Sequence, residues 1–271
     1  MKEKIGALTF AIALCSMTPL IIFAQKKDTK RKHEIYFSWG YNGEWYTHST
    51  IHISQPALGN DYQLNSITAH DHPGWNEGLF TKQITVPQFN VRFGYVINED
   101  KGWIFELNYD HPKFIVNDGN WRLTGKLNNR SVDTTIAFSQ ANGFHYFLNN
   151  GANFFLFDIV KRHHLYKTRD ENFKLDLLGK FGVGFTVPHV DNELFGNSNT
   201  AHFQLGGWDT GIEAAIRTTF YKHFYLEYGN KFDYARYSGL KIYQGTAHQA
   251  FGTYEMMLSL GLDFGVGKKL N

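Results

Sequence analysis

Eight segments of this chain alternate apolar and polar residues, and most of the apolar positions are large. In residues 87–98 the positions on one face are Phe89, Val91, Phe93, Tyr95 and Ile97. The intervening face holds Asn90, Arg92 and Gly94. Because successive side chains of a strand point to opposite faces, a period of two predicts β-strands with one apolar and one polar face.

The composition indicates which face meets the surroundings. Aromatic residues make up 17% of the chain, and there are 26 glycines and only 6 prolines, yet the mean hydropathy is −0.37. After residue 24 no uncharged apolar run is long enough for a spanning helix. Backbone groups in lipid must be paired within the protein, so such a chain crosses a membrane only as a closed barrel. A soluble eight-stranded barrel would bury the apolar face instead, and the charges on the polar face argue against it.

The strands and their connections predict the arrangement. The predicted strands cover residues 34–48, 87–98, 102–114, 144–160, 173–187, 203–220, 224–237 and 251–265. Shorter links (99–102, 161–172 and 221–223) alternate with links that are mostly longer, the first spanning 49–85. The fold prediction is therefore all-β, an eight-stranded antiparallel transmembrane β-barrel with short periplasmic turns and long extracellular loops.

The first 24 residues have the pattern of a secretory signal peptide. Lys2 and Lys4 precede an apolar stretch, and Ala24 offers a small residue for cleavage. A single membrane anchor over Ile5–Phe23 is the alternative, which Pro19 disfavours. The predicted division is a signal peptide at 1–24, a basic periplasmic tail at 25–34 and the barrel at 35–271.

Charge and cysteine content exclude several classes of protein. The chain has 27 basic and 25 acidic residues, so it lacks the basic surplus of a nucleic-acid binder. Its single cysteine, Cys15, lies in the predicted signal peptide. The mature chain is therefore predicted to have no disulfide and no thiolate ligand, and no cofactor is predicted.

Several motifs resemble a known group of proteins. They are YFSWGYNGEWYTHSTIHI, VRFGYVINEDKGWIFELNYDHPKF, NNGANFF, YARYSG and FGTYE. The chain resembles small eight-stranded outer-membrane β-barrel proteins of Bacteroidota, with the barrel shape of OmpA, OmpX and PagL. The resemblance implies a location in the cell outer membrane and a barrel fold, and it implies no particular activity.

The polar face of the predicted strands carries an unusual number of charges. The inward acids are Glu44, Glu106, Asp110, Asp176, Asp209, Glu213, Glu227, Asp233, Glu255 and Asp263. The inward bases are Arg92, Lys174, Lys180, Arg217 and Lys231. An eight-stranded barrel has room inside only for side chains. We therefore predict a polar plug that fills the lumen, and a narrow proton or ion path is the alternative.

Asp-His-Pro occurs twice, at Asp71–Pro73 and at Asp110–Pro112. One interpretation is that each copy ends an extended segment, because proline is tolerated at strand ends. The other is chemical: His70, Asp71, Asp110 and His111 are candidate catalytic residues, and His70 and His72 are candidate metal ligands. The outer half also holds further histidines, namely His48, His52, His189, His202 and His248. Hydrogen-bonded rim histidines that meet lipopolysaccharide phosphates are the simpler interpretation.

The resemblance to PagL, a lipid A deacylase, raises an enzymatic alternative. That family uses a His-x-Ser pair late in the barrel with a glutamate on the next strand. Here the one match is His52-Ile53-Ser54, which lies in the first outer segment and is followed by Gln55 where asparagine is expected. This departure weighs against the deacylase interpretation.

The functional prediction is a non-enzymatic outer-membrane barrel with a plugged lumen. Its outer loops would contact outer-membrane lipid and lipopolysaccharide, or a surface protein or glycan. Trp75, Trp121 and Tyr62 are candidate exposed anchors in these loops, or else pack within them. The alternative is a lipid-modifying hydrolase or acyl transferase with a His/Asp site at the rim.

Overall fold

A computed structural model of the protein describes residues 33–74 and 87–266. The predicted signal peptide, nearly all of the predicted basic tail and the candidate anchor Trp75 lie outside these residues. The described part of the chain is built of antiparallel strands with two short 3₁₀ turns, Pro56–Leu58 and Gln140–Asn142. Within it, no helix has the length and apolar character needed to cross a membrane.

The strands, in chain order, are β1 His33–Tyr46, β2 Ser49–Gln55, β3 Asn60–Ile67, β4 Ala69–His70, β5 Phe89–Asn98, β6 Trp103–Asp110, β7 Phe114–Val116, β8 Gly119–Leu127, β9 Arg130–Phe138, β10 His145–Leu148, β11 Phe154–Lys167, β12 Phe173–Thr186, β13 His189–Leu194, β14 Asn197–Ser198, β15 His202–Phe203, β16 Gly207–Phe220, β17 Phe224–Ile242 and β18 Gly245–Val266.

Eight of these strands close into a ring. The hydrogen-bonded order is β1-β5-β6-β11-β12-β16-β17-β18, and β18 pairs with β1 to complete the circle. The outward positions of the ring are apolar and exposed, for example Phe93, Phe181 and Leu260. The inward positions alternate with them and are buried and mostly polar, apart from a small apolar cluster that includes Val96, Ile104 and Leu178. The predicted eight-stranded transmembrane barrel is confirmed.

Some predicted strand boundaries are wrong. The fourth ring strand begins at Phe154 and continues to Lys167, so residues predicted as a periplasmic link belong to a strand and the turn shrinks to 168–172. The preceding residues 145–148 form the separate strand β10. In addition, the predicted loop between the last two strands is a hairpin, because β17 and β18 extend to a tight turn at Tyr243-Gln244.

The long outer loops form a folded extension above the ring. The upper parts of β17 and β18 join β2, β3, β8 and β9 in one sheet, in the order β17-β18-β2-β3-β8-β9. A smaller sheet has the order β14-β13-β10-β7-β4, and β15 pairs with β13. Buried apolar side chains from both sheets form one cluster, which includes Ile51, Leu64, Phe114, Tyr146 and Phe251.

The polarity of the strands inverts where the ring becomes the extension. Along β17 the inward residues up to Asp233 include three charges, Glu227, Lys231 and Asp233. Beyond Asp233 the inward residues are apolar, beginning with Ala235 and Tyr237. The outward residues change in the opposite sense, from Tyr234 to Arg236. The inversion follows from the surroundings, because lipid faces the ring whereas water faces the extension.

Candidate functional site

The interior of the ring is a network of buried ion pairs. Near the periplasmic end, Arg162 bonds Glu34 at 2.8 Å and Glu99 at 2.7 Å. Arg217 bonds Glu227 at 2.6 Å, and its guanidinium lies between the rings of Tyr36 and Tyr225 at 4.1 and 4.0 Å from their centres. These side chains fill the cross-section of the barrel at this level.

Lys180 occupies the middle of the lumen. Its Nζ lies 3.0 Å from Glu106, 2.9 Å from Glu213 and 2.8 Å from Glu227. Arg92 lies beside this group and bonds Asp110 at 2.6 Å. A buried cation with three carboxylate neighbours holds three strands in register, because each carboxylate would otherwise be buried without compensation.

The extracellular end of the lumen has more acids than bases. Lys231 bonds Asp110 at 2.6 Å and Asp233 at 3.1 Å. Glu44 and Glu255 lie directly opposite each other on β1 and β18, and the Asn42 amide donates to both, at 3.2 and 2.8 Å. The acidic surplus predicted for the lumen is therefore concentrated beneath the extension.

All fifteen charged residues predicted to face inward are buried. The sequence reasoning missed four more buried charges, Glu34, Asp158 and Arg162 in the ring and Lys113 just beyond β6. Glu34 was assigned to the tail, and Arg162 was assigned to a link. The signal that could have found Asp158 is the alternation of Phe155, Phe157 and Ile159, which places it on the opposite face. Extending the same period of two by four residues places Arg162 on that face as well.

One buried glutamine, Gln88, joins the first Asp-His-Pro copy to Lys113, the residue that follows the second copy. Its Oε1 accepts hydrogen bonds from the backbone N–H of His72 at 3.3 Å and of Lys113 at 2.8 Å. Its Nε2 donates to Asp71 at 3.3 Å, and its backbone N–H donates to Pro73 at 2.8 Å. Each copy follows a strand, β4 or β6, as predicted. The copies therefore form a junction that joins the ring to the extension.

The four candidate catalytic residues have separate partners. Asp71 accepts a hydrogen bond from the backbone N–H of Glu44 at 2.7 Å. Asp110 belongs to the lumen network. The His70 ring bonds the Asn117 side chain, and the His111 ring lies 2.7 Å from the side-chain oxygen of Asn153. A catalytic role for these residues stays a prediction.

His111 lies just beyond the end of β6 and is buried. Burial lowers the pKa of its imidazole below the ordinary value, because the charged form loses its hydration. The Asn153 side chain opposes this effect in part. His111 is therefore kept neutral at the rim, where its ring also stacks on Phe89.

The predicted metal ligands His70 and His72 do not belong to a recognisable metal centre. Within residues 33–74 and 87–266, no group of three or more His, Cys, Asp or Glu side chains is arranged to hold a metal ion. Other outer histidines bond neighbouring side chains, as His48 does with Ser66 and His202 with Gln204. In the His52-Ile53-Ser54 motif, the His52 ring bonds Asp61 at 2.5 Å.

The extension presents a polar surface, which we call the polar sheet: the outward face of β18, β2, β3 and β8. Its members include Thr50, His52, Asp61, Gln63, Arg122, Thr124, Lys126 and His248. A groove of about 250 Å³ crosses it and is lined by His52, Asp61, Tyr62, Gln63, Thr124 and Gly125. The backbone beneath is fixed by ladders on both sides of β3.

Two candidate anchors pack within the extension. Tyr62 is buried against Phe195, with ring centres 5.9 Å apart. Trp121 is half-buried against the apolar cluster, and its indole N–H donates to the Asn117 carbonyl at 3.1 Å. Neither is an exposed anchor, because the side chains of these strands that face inward are covered by the second sheet.

No family model and no curated protein matches this chain. Among solved structures, it is similar to OprG of Pseudomonas aeruginosa, with 11% identity over 86% of this chain and 96% of that one and a TM-score of 0.40. Ail of Yersinia pestis, solved with the heparin analogue sucrose octasulfate, has 11% identity over 86% and 99% and a TM-score of 0.35. The outer membrane protease OmpT of Escherichia coli has 8% identity over 89% and 99% and a TM-score of 0.38.

The ring itself identifies the location. Its closed backbone leaves no unpaired edge towards lipid, its outward side chains are apolar and aromatic, and its interior is charged. This is the construction of a transmembrane β-barrel. The protein is an outer-membrane β-barrel protein of the cell surface.

Proposed function

We propose that this protein is a cell-surface binding protein in which the ring is the membrane anchor and the polar sheet binds a surface glycan. The observation that carries the proposal is the folded extension, which has an apolar core of its own and presents a polar groove on its outer side. A loop region that served only to connect strands would not need such a core.

The interior of the protein supports binding over transport. Ion pairs fill the membrane part of the lumen, and the apolar cluster of the extension lies above it. An eight-stranded ring has a lumen just wide enough for side chains. We therefore expect no ion conductance above background when the purified protein is inserted into a planar bilayer.

The groove has the chemistry that suits a carbohydrate. Gln63 and Thr124 provide amide and hydroxyl groups, and the His52–Asp61 pair provides a ring and a carboxylate. Such groups can donate and accept hydrogen bonds at sugar hydroxyls. The rigid sheet beneath them reduces the conformational entropy that binding would cost.

A glycan array tests the proposal. Probes should include sulfated oligosaccharides, since the similar protein Ail was solved with a heparin analogue. The variant Gln63→Ala/Thr124→Ala is expected to lose binding at least tenfold, whereas Ser131→Ala/Thr135→Ala on β9 is expected to retain it. Equal binding by the two variants, or no binding of any glycan by the wild type, would contradict the proposed glycan site.

The lipid-modifying alternative is tested in cells by mass spectrometry of outer-membrane lipids. Cells with the intact protein, cells without it and cells carrying His70→Ala/His111→Ala are expected to have identical lipids. An acyl-chain or headgroup difference that disappears in the double variant would instead make the protein an enzyme. Heat-shifted electrophoretic migration confirms that the variant barrel is folded.

A further inference from the structure

Two large apolar side chains are exposed above the outer end of the ring. Phe203 is 54% exposed and Leu205 is 70% exposed. They precede β16, whose outward Trp208 is opposite Arg236 of β17 in the ladder. On β18 the outward residues above the ring, Ala250 and His248, are small or polar instead. The apolar surface therefore extends further outward at β16 than at β18.

The exposed segment is held firmly against β17. The Gln204 amide donates to the Gly239 carbonyl at 3.1 Å and accepts a hydrogen bond from the Lys241 backbone N–H at 2.8 Å. The Ser238 backbone N–H donates to the Gly206 carbonyl at 2.7 Å. These contacts on both sides of Leu205 fix its backbone, so the structure holds its side chain in an exposed position.

Two cations lie beside these apolar side chains. Arg236 and Lys241 are both exposed on the outward face of β17. Neither forms an ion pair with any residue in the part of the chain that the structure describes. Both are at or above the level of Trp208, where the apolar lipid-facing surface gives way to the extension. Cations at this level of an outer membrane face the phosphorylated headgroups of the outer leaflet.

We infer that Phe203, Leu205, Trp208, Arg236 and Lys241 form a binding site for one phosphorylated glycolipid of the outer leaflet. Trp208, on the ring side, contacts its acyl chains, the two cations contact its phosphates, and Phe203 and Leu205, which lie further outward, pack against its sugar rings. The continuity with the lipid-facing ring favours a lipid over a protein, since a ligand here already lies in the bilayer interface. Arginine is suited to phosphate because its planar fork binds two oxygens at once.

This inference extends the lipid-contact part of the functional prediction and does not use the groove of the polar sheet. The glycan proposal and the glycolipid site therefore fail or succeed separately. Free phosphate would need only Arg236 and Lys241, whereas the glycolipid also needs the apolar side chains. The dependence on the apolar side chains therefore distinguishes a glycolipid phosphate from free phosphate as the ligand.

Native mass spectrometry of the full-length mature protein in detergent tests the site. The probe is purified bis-phosphorylated lipid A, titrated against the wild type and Arg236→Gln/Lys241→Gln. The double variant is expected to bind at least tenfold more weakly. The matched control is Lys101→Gln/Arg169→Gln in two periplasmic turns, which removes the same charge at the opposite end of the ring and is expected to bind as the wild type does.

Two further measurements complete the test. Dephosphorylated lipid A is expected to bind the wild type and the double variant equally, and Leu205→Ser is expected to weaken both forms of lipid A about threefold. The inference is overturned if the double variant binds bis-phosphorylated lipid A like the wild type, if the control loses as much affinity, or if Leu205→Ser has no effect. All variants are first checked for heat-shifted migration.

Discussion

The membrane part and the extracellular part of this protein have opposite interiors. Inside the ring, buried side chains are largely charged and paired, as Lys180 is with Glu106, Glu213 and Glu227. Inside the extension they are mostly apolar, as in the stacked pair Phe114 and Phe251. Two strands, β17 and β18, run through both parts and change polarity on the way.

The difference shows that alternation alone does not tell which face is the core. A period of two gives one polar and one apolar face in either environment. In the ring, the apolar face contacts lipid and the polar face points to the interior, where each charge needs a partner. In the extension, the polar face contacts water, and the apolar face forms a core that is stabilised by the hydrophobic effect. The two interiors should therefore respond differently to substitution.

The largest effect is expected for Lys180→Met. Three buried carboxylates would lose their shared cation, and breaking a buried pair costs about 3–5 kcal/mol. We expect a loss near the upper end, about 5 kcal/mol, in the free energy of unfolding measured by urea titration in lipid vesicles. Lys161→Met is the control, because Lys161 is exposed and lies over the Trp103 ring. Similar losses in the two variants would contradict the network as a source of stability.

A somewhat smaller effect is expected for Phe251→Ala in the extension. Phe251 stacks on Phe114 with ring centres 4.4 Å apart and contacts Tyr46 at 5.5 Å. Removing a buried phenyl group costs about 4 kcal/mol. We expect faster tryptic cleavage within the extension and an unchanged heat-shifted migration of the ring. Phe232→Ala, on the lipid face, serves as the control. If ring and extension were lost together, the two interiors would be one cooperative unit.

The junction between the two parts gives the third prediction. Gln88→Leu would leave the backbone N–H groups of His72 and Lys113 without their acceptor, a loss of about 2–3 kcal/mol. Hydrogen exchange should quicken at these two amides while those of β12 keep their protection. Gln63→Leu, on the exposed face of β3, should change neither set. Unchanged protection at His72 and Lys113 would show that Gln88 does not hold the junction.

The ring could be predicted from sequence because its constraint is simple. Lipid requires every outward position to be apolar or small. The side-chain type alone therefore identifies Phe93 and Leu260 as outward and Arg92 as inward. The extension could not be predicted in the same way. Its strands have the opposite polarity, so the alternation that predicts the ring strands ends at Tyr237 and does not predict the outer end of β17. Its pairings, such as β18 with β2, join residues about 200 positions apart.

The candidate site was predicted only in part for a similar reason. The sequence places both Asp-His-Pro copies at strand ends, which follows from proline alone. It does not reveal that Gln88 joins the first copy to Lys113, the residue after the second copy, because that contact depends on where two loops fold back. The predicted strand 203–220 includes both Phe203 and Leu205, whereas β16 begins only at Gly207. Only the hydrogen bonds of Gln204 with Gly239 and Lys241 show that these residues lie beside the outer end of β17.

The smallest effect on stability is expected for the exposed ion pair Arg122–Asp133. Comparing this pair with a buried one shows how far solvent weakens an ion pair. This pair and the buried pair Arg162–Glu34 have the same closest distance, 2.8 Å, but their side chains are 64%/61% and 1%/4% exposed. The Arg122 hydrogen bonds hold the pKa of the Asp133 carboxyl below its usual value, yet solvent and salt screen such a pair. A double-mutant cycle of alanine variants should therefore give no measurable coupling for Arg122–Asp133 and a clear one for Arg162–Glu34. Since each pair joins an arginine to a carboxylate at the same closest distance, a large coupling at the exposed pair would mean that geometry, and not burial, decides the strength of ion pairs in both parts of this protein.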